Sequence, residues 1–157
     1  MFEEKTISAL RWIIGILEHN NVRFRIAGGF AARVYGSDRA FADIDIEILE
    51  KDMKKVFDIV KNSVTFSLGQ YKDENWDLPL MTLEYKEQVI DIFAGDNIKM
   101  YNVNTRLWEK YNFNIDNFVT KSVQGVEVPL IPLSDLIDYK KKLQREVDMI
   151  DVKNLEY

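Results

Sequence analysis

The sequence predicts an α/β or α+β protein, a mixed β-sheet flanked by helices and closed by C-terminal helices. Three observations carry that expectation. From Phe24 to Asn62 the pattern runs strand, helix, strand, helix. From Leu80 to Phe93 two apolar-rich runs meet at Lys86-Glu87, as an antiparallel hairpin does. After Pro132 the chain turns to helical spacing, with Ser134 as an expected N-cap for SDLIDYKKKL.

In chain order, Ile7, Leu10, Ile14 and Leu17 form one stripe over residues 3–19, an amphipathic helix that ends at the lone His19. A histidine there reads as a dipole partner or a surface residue rather than a ligand. Met53, Val56, Phe57 and Val60 mark a second covering helix, and Val64 to Gly69 a short strand. Tyr71 to Leu78 reads as a loop or hairpin tip, with Trp76 or Tyr71 as a minor candidate for an acceptor or base contact. The stretch from Gly95 to Asn117 carries no clear pattern; a helix around Val103 to Tyr111 is one reading of it, with its aromatics read as core rather than a base-stacking platform. Phe118 to Ser122 and Val126 to Ile131 form another expected hairpin, closed by Gln124-Gly125.

The 157 residues fit one domain, 1–157, by length. With 46% hydrophobic and 30% charged residues the composition is that of a water-soluble globular chain. No apolar run approaches the roughly 20 residues of a membrane helix, and the N-terminus lacks a secretory pattern, so a cytoplasmic location is expected. The absence of cysteine excludes disulfides and thiol catalysis. A net charge of -5 argues against gripping long nucleic acid, although Lys140, Lys141, Lys142 and Arg145 form a local basic run that also reads as a solvated helix face.

The stretch FRIAGGFAARVYGSDRAFADIDIEI, Phe24 to Ile48, carries the chemistry. On a strand, Asp43 and Asp45 project to one face while Ile44, Ile46 and Ile48 take the other. Carboxylates held this close raise each other's cost of ionisation, and a shared proton or a bound cation relieves it. Oxygen ligands without cysteine point to Mg²⁺ or Mn²⁺. Gly28 and Gly29 let the backbone approach a ligand, and a helix starting there offers free amides to a phosphate. Either feature alone has a plainer reading, a turn for the glycines and a solvated strand edge for the acids. Asp91, within VIDIF, is a carboxylate among apolar neighbours and the preferred third acid; Glu47, on the strand face of Asp43 and Asp45, is its rival.

A Gly-Gly turn opening a helix, followed after residues 30–42 by Asp-x-Asp, resembles the signature of the polymerase-β-like nucleotidyltransferases. The C-terminal run, with Lys140 and then Arg145, Asp148 and Asp151, is similar to that of the small minimal and lincosamide-modifying types. The resemblance implies metal-dependent transfer of a nucleoside monophosphate from an NTP such as ATP to a hydroxyl of a small molecule, a protein or an RNA end, with pyrophosphate released. It implies Asp43, Asp45 and Asp91 as catalytic metal ligands, two divalent cations bridged by the first two, and Gly28, Gly29, Ser37, Arg39 and Lys140 around the phosphates. The resemblance leaves room for a protein partner or a homodimer, since in some relatives a dimer or an added helical domain completes the cleft; no membrane is involved.

Two positions depart from the pattern. Phe41 stands where R-x-T-x-D places a hydroxyl, and Val147 where a lysine is usual. These departures keep open an alternative, a non-catalytic nucleotidyltransferase-like protein that binds nucleotide or a partner in an antitoxin-like or regulatory role.

Overall fold

The computed structural model describes residues 2–156. Five helices, α1 (Glu4–His19), α2 (Gly28–Tyr35), α3 (Glu50–Val60), α4 (Leu133–Leu143) and α5 (Glu146–Leu155), surround one mixed sheet. Its strands are β1 (Phe24–Ala27), β2 (Asp43–Ile48), β3 (Val64–Lys72), β4 (Trp76–Tyr85), β5 (Gln88–Ala94), β6 (Lys99–Asn102), β7 (Leu107–Lys110), β8 (Val119–Val123) and β9 (Val126–Leu130). Their order is β7-β6-β4-β5-β2-β1-β9-β8, with β3 paired to β4. Among the described residues no helix is long and apolar enough to cross a membrane.

The centre of the sheet places the chemistry. β2 runs antiparallel to β1 and parallel to β5, with Asp45 in register with both Ala27 and Asp91. Neighbours in register on a sheet send their side chains to one face, so the acids of β2 and β5 share a side. Ile44, Ile46 and Ile48, and Ile90 and Ile92 beside them, turn the other way and are fully buried. Leu10, Ile13 and Leu17 of α1 and Met53, Val56 and Val60 of α3 join the same core. Removing these side chains from water contributes roughly 1.5–3 kcal/mol each. The core therefore fixes which way the acids face, because a register slip of one residue would bury them. α1 is also tied to β5 by a buried hydrogen bond from Thr6 Oγ1 to Gln88 Oε1 at 2.6 Å.

The hairpins expected at Lys86-Glu87 and Gln124-Gly125 are present, and all four turn residues have positive φ, from 47° to 85°. That backbone matches the twist of two-residue hairpins. The helix expected around Val103 to Tyr111 is not formed; β6 and β7 pair there instead, Tyr101 against Trp108 and Lys99 against Lys110. Asn102 explains it: its side chain accepts from the Asn104 amide at 2.9 Å and its carbonyl from Arg106, which sits at φ 61°. An asparagine that closes a turn on its own backbone competes with helix. Ser134 is likewise not the N-cap of α4. Pro132 takes that place and Ser134 lies inside the first turn, because the proline ring fixes an extended entry.

Candidate active site

A cleft of about 560 Å³ opens on the acid-bearing face of the sheet, between the start of α2, the β3–β4 hairpin, and α4 with the start of α5. Gly28, Gly29, Arg39, Asp43, Asp45, Asp91 and Lys140 all line it. Asp43, Asp45 and Asp91 form the one group of three or more potential ligands among the described residues whose donor atoms lie within 4.8 Å of one another. Asp91, preferred over Glu47 from the sequence, is thus the acid that joins the pair.

Glu47 is removed from this cluster by its own partners. Arg25 Nε donates to Glu47 Oε1 at 2.5 Å, and the Tyr111 hydroxyl donates to Glu47 Oε2. Arg25 also reaches the carbonyl of Asn117 at 2.9 Å, and its Nη2 is the buried side-chain nitrogen left without a partner among the described residues. A guanidinium in register with Glu47 on β1 gives this carboxylate its countercharge inside the protein.

The three aspartates have no such countercharge in contact. Burial raises the pKa of Asp43 above the usual carboxylate range, against a hydrogen bond with Asp91 that lowers it. Burial raises Asp91 too, opposed by the Thr82 hydroxyl, which donates to its Oδ1 at 2.6 Å, and assisted by the charge of Asp43. Asp45 is pushed well above the ordinary range, by burial first and then by the charges of Asp91 and Asp43; the more distant Lys140 and Arg145 oppose this weakly. Three acids held together without a cation in contact fit a divalent metal with oxygen preference, Mg²⁺ or Mn²⁺.

The diglycine turn is built around Asp45. Gly28 has φ +67°, and a Cβ on it would stand 1.9 Å from Asp45 Oδ2. A Cβ on Gly29 would meet Arg39 Nη2 and the Cβ of Phe41, both at 2.9 Å. Neither position admits a side chain while the acid and the arginine keep their places. The Gly28 amide does not face the cleft unpartnered, as its expected phosphate role requires. It donates to the Tyr139 hydroxyl at 3.0 Å, so the amides available at this helix start are those of Gly29 and the residues after it.

Ser37 departs from the expectation most clearly. It is 2% exposed, does not line the cleft, and its hydroxyl donates to Asp151 Oδ1 at 2.7 Å. Arg39 lines the cleft but grips Asp151 through two bonds, Nε to Oδ1 at 2.9 Å and Nη2 to Oδ2 at 2.7 Å. Lys140 also does not belong to a solvated basic face. It is 1% exposed and its Nζ lies 3.2 Å from Asp148 and 3.0 Å from Asp151. Arg145 completes the network with bonds of 2.7 and 3.1 Å to Asp148. Burial works to raise the Asp151 carboxyl, but hydrogen bonds from Arg39 and Ser37 and the charge of Lys140 outweigh it and hold the group below the usual range.

The sequence offers Trp76 as a minor contact candidate and Tyr111 as core, but does not join them with Tyr139 into one aromatic wall. Trp76, Tyr111 and Tyr139, from β4, the segment after β7, and α4, meet edge-on with ring centroids 5.8 to 6.1 Å apart. Strand alternation offered a signal for the Arg25–Glu47 pair, since Arg25 lies between core-facing Phe24 and Ile26 and Glu47 between Ile46 and Ile48; nothing local brings the three rings together. Of the two departures, Phe41 packs its ring on Phe30 at 5.6 Å and Phe2 at 5.9 Å. Val147 stands half exposed at the cleft edge.

The sequence profile of the aminoglycoside-2''-adenylyltransferase family matches residues 9–155. The chain belongs to this family of nucleotidyltransferases. No curated protein matches it in sequence. Among solved structures, a candidate nucleotidyltransferase from Thermotoga maritima is similar over 99% of this chain and 91% of its own, at 17% identity and a TM-score of 0.71. The lincosamide antibiotic adenylyltransferase LnuA, solved with lincomycin bound, is similar over 94% of each chain at 20% identity and a TM-score of 0.62. ANT(2'')-Ia, solved with adenylyl-2''-tobramycin, aligns over 96% of this chain and 87% of its own at 15% identity and a TM-score of 0.60. These likenesses are of fold, and the family's α+β architecture is the one described above.

Proposed function

We propose that this nucleotidyltransferase moves a nucleoside monophosphate from an NTP to a hydroxyl of a small molecule and releases pyrophosphate. The observation that carries the reading is the convergence of Asp43, Asp45 and Asp91 beside a diglycine turn whose first residue cannot bear a side chain without striking Asp45.

Asp43, Asp45 and Asp91 would hold Mg²⁺ or Mn²⁺. When bound, such a cation offsets the charge gathering on the phosphoryl oxygens and makes the acceptor hydroxyl easier to deprotonate. The remaining roles fall to the chain itself. The acceptor oxygen forms a bond to the α-phosphorus, the α–β anhydride bond breaks, and pyrophosphate leaves with the electron pair. Asp91, whose Oδ1 is held by Thr82, keeps a second oxygen with which to take the acceptor's proton. The amides of the first turn of α2 and the guanidinium groups of Arg39 and Arg145 at the cleft face the leaving group and spread its charge. Ser37 and Lys140 act at one remove: both hold Asp151, and Asp151 holds Arg39.

The net charge of -5 favours a small acceptor over a long nucleic acid. The test is transfer of α-labelled nucleotide with Mg²⁺ by the unaltered protein and by Asp43→Asn and Asp45→Asn. Transfer undiminished in either variant overturns the assignment of the acids.

A further inference from the structure

Four hydroxyl groups belong to residues that line the cleft, those of Tyr71, Thr82, Tyr111 and Tyr139. Three have their protons placed on carboxylates: Tyr71 donates to Asp73 at 2.9 Å, Thr82 to Asp91 at 2.6 Å, and Tyr111 to Glu47. Tyr139 differs. Its oxygen accepts from the Gly28 amide at 3.0 Å, and among the described residues nothing accepts its proton. The residue is 6% exposed, so bulk water does not serve it as it serves a surface hydroxyl. A buried donor left unspent costs free energy, and a ligand that accepts from it recovers that cost.

The hydroxyl is also held in place. Edge-on contacts with Trp76 and Tyr111, ring centroids at 6.0 and 5.8 Å, fix the ring. One residue further along α4, Lys140 anchors the helix through Asp148 and Asp151. At the other end of the hydrogen bond stands Gly28, on which a Cβ would lie 1.9 Å from Asp45 Oδ2. The hydroxyl therefore occupies the corner between the acid cluster and the first turn of α2. Burial first, then the charges of Asp45, Glu47 and Asp148, raise its pKa well above that of an ordinary phenol, so it keeps its proton. An anionic oxygen suits this corner, since it can approach a cation on Asp45 while accepting from the hydroxyl and from the amides of α2 beyond Gly28. Resting on the transferase reading above, we propose that Tyr139 binds the nucleotide directly, its O–H donating to a phosphate oxygen of the NTP. Gly28 is then the positioning device: its amide takes the oxygen, polarises the O–H and leaves the proton for the ligand.

The test is calorimetric titration of the full chain with Mg²⁺ and whichever α,β-methylene NTP the unaltered protein binds most tightly, with no acceptor present. Tyr139→Phe, which keeps the ring and removes the hydroxyl, should weaken nucleotide binding by about tenfold or more, with the affinity for Mg²⁺ alone unchanged. Undiminished nucleotide affinity, or an equal loss for Mg²⁺ alone, overturns the proposal. Site-specific 3-fluorotyrosine at position 139 separates the two bonds of the hydroxyl, because fluorine strengthens the O–H as a donor and weakens the oxygen as an acceptor for Gly28. Nucleotide binding should then tighten. Unchanged or weaker binding would mean that the hydroxyl serves the Gly28 turn alone, and overturns the proposal. If the Tyr139→Phe chain does not fold, the fluorinated protein decides alone. Absence of Mg²⁺-NTP binding by the unaltered protein counts instead against the transferase reading, so the two failures are distinct.

Discussion

Asp45 and Glu47 sit two residues apart on the same face of one strand, and the protein treats them in opposite ways. Glu47 has a guanidinium in contact, Arg25 from the adjacent strand, and a tyrosine hydroxyl besides. Burial still pushes its pKa upward, but both partners oppose the push. Asp45 faces two further carboxylates, and burial and their charges act in the same direction. A charge neutralised from within serves the fold; a charge left without its counterpart marks where a ligand's charge belongs. The C-terminal acids Asp148 and Asp151 fall on the Glu47 side of this division, since Lys140, Arg39 and Arg145 surround them.

The comparison breaks first at Asp45. Asp45→Asn should lower nucleotide transfer by about 100- to 1,000-fold or more, while the metal-free protein gains thermal stability because the mutual repulsion is relieved. A loss of both activity and melting temperature would place Asp45 with the structural acids. Arg25→Met should do the reverse, costing about 3–5 kcal/mol in urea denaturation by stranding the fully buried Glu47. Adding Glu47→Met to that variant should restore much of the stability, as removing both partners removes the stranded charge.

Acid titration sharpens the same division. Asp151 has a folded-state pKa below its unfolded one, so its contribution is present at neutral pH and is lost as pH falls through the ordinary carboxylate range toward the lower folded value. Asp151→Asn should therefore destabilise the protein at neutral pH and flatten its unfolding between those limits, as followed by circular dichroism. The raised acids carry the opposite sign. The folded state holds their protons longer than the unfolded chain does, so in the absence of metal stability declines as pH rises from the ordinary carboxylate range through their elevated values. Those protons compete with Mg²⁺, so its affinity should tighten over that same rise and then level off. A pH-independent affinity would mean that the acids are already ionised.

The smallest expected change is at Thr82. Thr82→Val removes a hydrogen bond that favours ionised Asp91, and the pH–rate profile should move to higher pH with a loss of about 1 kcal/mol, roughly fivefold, in kcat/KM. A lower rate with an unmoved profile would indicate a packing role instead.

The clustering of the three acids was legible because strand alternation is a local rule. DIDIEI and VIDIF state by parity which residues share a face, and two adjacent glycines before a helix announce a turn that rejects side chains. The hairpin of β6 and β7 was not legible, because Asn102 bends the chain through its own side chain while the aromatics nearby suit helix and strand alike. Ser37 and Lys140 read as ligand-facing from their place in the pattern. Asp148 and Asp151 lie in the last helix, and only folding brings that helix against the first loop to claim both.

From the order of its residues alone, then, this chain determined the three acids, the diglycine turn and the sheet that presents them, since each depends on neighbours within a few positions. The tertiary structure decided which charges are cancelled and which remain. That outcome depends on pairs such as Arg25 with Glu47 and Arg39 with Asp151, which are 22 and 112 residues apart and meet only when the sheet and the C-terminal helices close around the cleft.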